Sequence, residues 1–147
     1  MPRYLLDTNV LIYCVDAAEP IKRARALDVT TRLVARGAAV VPIQALAEFA
    51  RVSLTRMRPP TPSEEVYAEI ERLERIFPLA PLTPAVVLEA VRGVRDHRFS
   101  YYDAQIWAAA RLNQVPVVLT EDFSAGATVE GVTFVDPFAP AFDPAEL

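Results

Sequence analysis

Apolar residues fall into short unbroken runs, with longer stretches between them in which they recur at helical spacing. The runs are Tyr4-Leu5-Leu6, Ala38 to Val41, Leu79 to Leu82, Val117-Val118-Leu119-Thr120 and Val132 to Val135. Runs this short, with no polar alternation, predict strands buried on both faces, as in a parallel sheet. Helices are predicted over Thr8 to Val15, Ile21 to Arg36, Pro42 or Ile43 to Met57, Thr61 to Phe77, Ala85 to Asp96 and Ser100 to Asn113. In the third, Ile43, Leu46, Ala47, Ala50 and Leu54 share one face. Glu19-Pro20 and Arg58-Pro59-Pro60-Thr61-Pro62 are breaks, and Gly37 is a helix stop. Thr61-Pro62-Ser63-Glu64 and Thr83-Pro84 read as helix starts, a capping Thr followed by Pro in the first turn. Strand and helix alternate throughout, which predicts an α/β fold, a parallel sheet with helices on both faces. We expect a single domain over residues 1–138. The proline-containing stretch 139–147 is expected to be a loose tail.

Composition narrows the chemistry more than the fold. The chain has 147 residues, enough for one domain with a sizeable core, and its 52% hydrophobic and 23% charged residues describe a globular chain. The net charge is −4, which disfavours tight, nonspecific binding to a phosphate backbone. One His (His97) and one Cys (Cys14) exclude disulfides, Cys-cluster sites and multi-His metal sites. Lys22 is the sole lysine, so Schiff-base chemistry is disfavoured. No GxGxxG, GxxxxGK[ST] or GxSxG motif occurs. Carboxylates remain abundant, and they point to a hard metal ion held by oxygen. The N-terminus has no signal-peptide layout and no apolar stretch is long enough for a membrane span, so a cytoplasmic location is expected.

Four acids occupy comparable places in this pattern. Asp7 closes the first strand and Asp122 follows the fourth. Asp103 opens the last helix, and Glu48 lies early in the helix after the second strand. Each has an ordinary alternative. Asp7 could cap the helix after it, and Ser100-x-x-Asp103 fits a capping box. Asp122 could be a turn residue, and Glu48 shares a polar helix side with Gln44, Arg51 and Thr55. In a parallel sheet, however, all four fall at the carboxyl edge, where such folds place function. Four carboxylates brought together repel, and a divalent cation resolves the conflict.

The runs Leu5-Leu6-Asp7-Thr8-Asn9, Ser100-Tyr101-Tyr102-Asp103-Ala104 and Leu119-Thr120-Glu121-Asp122-Phe123, with Glu48 between them, resemble the PIN domain. More narrowly, they resemble the VapC-type toxins of toxin–antitoxin pairs. The resemblance spans Arg3 to about Phe138. It implies a three-layer α/β/α sandwich around a parallel sheet of about five strands. It also implies an endoribonuclease dependent on Mg²⁺ or Mn²⁺. Asp7, Glu48, Asp103 and Asp122 match its catalytic, metal-holding positions, and Asn9 and Thr120 its supporting ones. An RNA substrate, a cognate antitoxin and a homodimer are the partners it implies.

Other readings stay open. Arg51, Arg56, Arg95 and Arg98 are either solvated helix faces or RNA-phosphate contacts. Tyr101 and Tyr102 could stack on bases, although one of them is expected in the core. Trp107 is expected in the core, and His97 at the surface near a helix end. A catalytically inactive PIN-like scaffold is the alternative function. A receiver-like domain needs a lysine near the chain end, and a haloacid-type phosphatase needs Asp where Asn9 stands.

Overall fold

The short apolar runs do form strands, and their alternation sends successive side chains into two separate cores. Our computed structural model describes residues 2–123 and 126–147. In chain order the elements are β1 (Tyr4–Leu6), α1 (Thr8–Tyr13), α2 (Pro20–Ala35), β2 (Ala39–Pro42), α3 (Ile43–Thr55), α4 (Ser63–Ile76), β3 (Leu79–Ala80), α5 (Pro84–His97), α6 (Tyr101–Leu112), β4 (Val117–Leu119), β5 (Thr128–Val129) and β6 (Val132–Val135). Leu5, Val40, Val118 and Phe134 point into the core beneath α5 and α6. Their neighbours Leu6, Val41 and Leu119 point into the core shared with α1, α2, α3 and α4. A period-2 strand between two helical layers explains why both faces had to be apolar.

The sheet runs β3-β2-β1-β4-β6-β5. From β1 the chain builds outward through β2 and β3, then returns to place β4 on the other side of β1. The order therefore switches between β1 and β4. All pairings are parallel except β5 with β6. Ligand crevices in open α/β sheets lie at the carboxyl ends of the strands flanking such a switch.

Three details differ from the sequence reading. The sheet has six strands rather than five, because β5 forms a hairpin with β6 across Glu130 and Gly131, both at positive φ (48° and 82°). Paired left-handed residues match the twist of a two-residue hairpin. Ser124 and Ala125, in the loop expected there, lie outside the described residues. The C-terminal stretch is not loose. Arg25 donates to the carbonyls of Pro137 (2.9 Å) and Phe142 (3.1 Å), and Leu147 is buried. Finally, α4 is entered from Pro62 with no side-chain cap, so Thr61 does not play the expected role.

Thr83 does cap α5, its hydroxyl accepting the Val86 N–H at 3.3 Å. Thr83→Ala should cost about 1 kcal/mol, read as a lower urea midpoint at unchanged slope. No helix among the described residues is long and apolar enough to cross a membrane.

Candidate active site

The switch point between β1 and β4 is where the polar side chains gather. Asp7 follows β1, and its N–H donates to the Leu119 carbonyl at 3.1 Å, which locks it to β4. It does cap α1: Oδ1 accepts the Thr8 N–H at 2.7 Å. The other oxygen, Oδ2, accepts the Thr120 hydroxyl at 2.8 Å. The cap reading and the site reading of Asp7 thus describe different oxygens of one carboxylate.

Thr120 is 1% exposed and its hydroxyl is fully used. It donates to Asp7 and accepts from Asn9 Nδ2 (3.2 Å) and the Asp122 N–H (3.1 Å). Asn9 Nδ2 also donates to Asp122 Oδ2 at 3.1 Å. Asp7, Asn9, Thr120 and Asp122 therefore form one bonded unit. Asn9 Oδ1 is buried and has no partner.

Burial chiefly pushes the Asp7 carboxyl up to about 6, against the two hydrogen bonds it accepts, with the charges of Asp122 and Glu48 adding to the rise. Glu48 lies on α3, half-exposed, 3.5 Å from the Thr8 hydroxyl and 3.2 Å from Arg51. It belongs to the same electrostatic neighbourhood but not to the bonded unit.

Asp103 sits in the first turn of α6, partly exposed. Ser100 is the N-cap but makes no side-chain cap bond, so the capping box is not formed. The first turns of α3 and α6 approach where Gln44 Nε2 lies 3.5 Å from the Gln105 carbonyl. No hydrogen bond ties Asp103 to the other three acids among the described residues. Nor do any three His, Cys, Asp or Glu side chains among them stand close enough to hold an ion.

The donor set nevertheless suits a hard cation. It is all oxygen, two of its acids raise the carboxyl of a third, and a buried amide oxygen lacks a partner. A hydrated divalent ion would relieve the repulsion and supply a hydrogen-bond donor to Asn9 Oδ1.

The family model of the PIN domain matches residues 4–126. This chain belongs to the PIN domain family. Its fold is shared by VapC20 of Mycobacterium tuberculosis, a sarcin–ricin-loop-cleaving toxin. The TM-score is 0.60 at 20% identity, covering 86% of this chain and 97% of that one. A toxin–antitoxin complex from Klebsiella pneumoniae aligns with TM-score 0.63 at 16% identity, covering 91% and 97%. A comparison with curated protein sequences finds no match.

The arginines divide. Arg51 pairs with Glu48 and Arg95 with Asp96, whereas Arg56 and Arg98 form no ion pair among the described residues. Arg92 pairs with Glu89, Asp96 and Glu130 and lies over the Trp107 ring. His97 closes α5 and is partly exposed, as expected, and it also bonds Glu130 at 2.6 Å and packs on Phe99 and Trp107. Neither tyrosine before Asp103 is in the core. Tyr101 is partly exposed, with its hydroxyl held by Gln105, and Tyr102 is 74% exposed.

Sequence reasoning missed Tyr13, Lys22 and Glu121. The Tyr13 hydroxyl donates to Glu121 Oε1, and Lys22 Nζ lies 3.0 Å from Glu121 Oε2. Hydrogen bonds to Glu121 and Tyr13 hold the Lys22 pKa above its ordinary value. The available signal was Glu121 itself, an acid directly before Asp122 with a lone lysine elsewhere to match it.

Proposed function

We propose that this PIN domain is a divalent-metal-dependent endoribonuclease, the toxin of a VapC-type toxin–antitoxin pair. The observation that carries the reading is the bonded unit of Asp7, Asn9, Thr120 and Asp122 at the sheet's switch point, with the Asp7 carboxyl raised beside two other acids.

Asp7, Glu48, Asp103 and Asp122 would hold Mg²⁺ or Mn²⁺. When bound, such an ion lowers the pKa of a water and neutralises charge on the scissile phosphate. The chain's own residues do the rest. Asp7 must give up its proton before it can ligate. The Thr120 hydroxyl and Thr8 N–H, both donating to Asp7, fix its two oxygens and favour the ionised form. Asn9 fixes the Asp122 carboxylate by its amide. The chain lacks a histidine at the site, and its one lysine is engaged with Glu121, so no side chain here is an evident general base. Arg56 and Arg98, and Arg51 and Arg95 on release of their acids, would meet RNA phosphates.

An antitoxin that covers the site, a homodimer and a cytoplasmic location complete the proposal. The two structural neighbours, a toxin that cleaves the sarcin–ricin loop and a toxin–antitoxin complex, support its RNA-cleaving and antitoxin parts. The test is incubation with generic RNA and Mn²⁺, then with EDTA. The expected result is cleavage that EDTA abolishes. No cleavage of any RNA, together with no metal binding, would favour the scaffold alternative.

A further inference from the structure

Asn9 and Tyr13 are four residues apart on α1 and so share one face. That face engages three consecutive residues after β4. Asn9 bonds Thr120 and Asp122, and the Tyr13 hydroxyl donates to Glu121 at 2.5 Å. Lys22, from α2, closes the arrangement: Nζ lies 3.0 Å from Glu121 Oε2, 3.2 Å from the Tyr13 hydroxyl and 4.8 Å from the centre of the Tyr13 ring. Phe138 packs edge-on against that ring at 4.9 Å. Ion pairs this near solvent contribute little to stability on their own. Here, though, the pair is built on the residue next to Asp122.

We propose that Tyr13 and Lys22 are positioning residues for the ion site. By holding Glu121 against α1 and α2, they fix the backbone that presents Asp122 beside Asn9 and Asp7. The inference rests on the reading of Asp122 as a metal-holding residue. Without the clasp, the Asp122 side of the site is still restrained by the bonds to Asn9 and Thr120 and by the stacking of Phe123 on Phe134, but the backbone between Thr120 and Asp122 loses its hold on α1 and α2 through Glu121. Charge alone argues for the opposite outcome. Lys22 is a cation near a cation site, so its removal would by Coulomb's law tighten metal binding. The sign of the effect therefore separates positioning from simple electrostatics, and a purely structural role would move only the melting temperature.

The test is a Mn²⁺ titration of the whole chain, with free Mn²⁺ read by electron paramagnetic resonance and melting measured alongside. Lys22→Met is expected to weaken Mn²⁺ binding about tenfold, the low end of what outer partners of metal ligands contribute, and Tyr13→Phe about threefold, since it leaves the ion pair in place. Lys22→Arg, which keeps the ion pair, is expected to restore it. Binding by Lys22→Met as tight as wild type, or tighter, overturns the inference and leaves the metal-site reading intact. A wild-type chain that binds no Mn²⁺ overturns both. Should Lys22→Met not fold, Tyr13→Phe decides the matter: it changes no charge and keeps the ring on Phe138, and an unchanged affinity overturns the inference.

Discussion

Asp7→Asn is expected to lose Mn²⁺-dependent RNA cleavage by at least about a hundredfold and, at pH 8 without metal, to melt higher than wild type. The two effects have one cause. The Asp7 carboxyl, ordinarily at 3.8, is raised to about 6, chiefly by burial. The native state therefore holds more protons than the unfolded state between about pH 4 and pH 6. Its contribution is fully present below the unfolded value and is lost as pH rises through about 6. Once Asp7 is ionised, that difference corresponds to about 3 kcal/mol. Asn carries no charge and keeps an acceptor for the Thr8 N–H. It loses the acceptor for the Thr120 hydroxyl, at a cost of about 1 kcal/mol. The net gain at pH 8 is about 1–2 kcal/mol, or roughly 3–6 °C in melting temperature. Below pH 4 the gain should vanish. Melts in EDTA from pH 4 to 8, beside a cleavage assay, test both halves. Full cleavage by the variant would remove Asp7 from the site, and a lower melt at pH 8 would contradict the cost of the buried charge. Mn²⁺ affinity of the wild-type chain should fall below about pH 6, where the proton competes.

Gly93→Ala is expected to destabilise the fold by up to about 2 kcal/mol, although it places a better helix former inside α5. Two effects oppose. Helix propensity favours Ala by about 1 kcal/mol in a helix interior. A Cβ at Gly93, however, would meet Trp107 Cζ3 at 2.8 Å and Cε3 at 2.9 Å. The indole cannot yield freely. Trp107 is fully buried, Nε1 donates to the Val129 carbonyl at 3.1 Å, and its ring is flanked by Phe99 and His97. Overpacking therefore wins. The strain falls on the α5–α6 contact, and α6 carries Asp103, so cleavage should drop as well. Urea unfolding of Gly93→Ala reads the sign directly. A variant as stable as wild type would mean that α5 can shift away from Trp107 at no cost.

What the chain's pattern disclosed depended on how local the signal was. The five apolar runs and the Thr83-Pro84 start are local, and they appear where expected. The β5–β6 hairpin was hidden because its turn, Glu130-Gly131, needs a left-handed glutamate that pattern does not announce. The tail was misjudged because prolines mark breaks but not packing, and Arg25 reaches its carbonyls from over 100 residues away. One of Tyr101 and Tyr102 was expected in the core and neither is, while His97, at the end of α5, packs on Trp107, since only the α5–α6 contact decides which ring meets Trp107.

The sequence by itself determined the α/β class and the places of Asp7 and Asp122 just beyond β1 and β4, and it left oxygen as the main donor type for any ion. Those follow from local periodicity and from which residue types are present at all. Only the tertiary structure decided which acids share hydrogen bonds, that Asp7 both caps α1 and bonds Thr120, and that Lys22 and Tyr13 grip Glu121. The strand order places β4 beside β1, so residues more than 100 apart in sequence come within hydrogen-bond distance. No spacing along the chain encodes that meeting, because it is set by which strands pair.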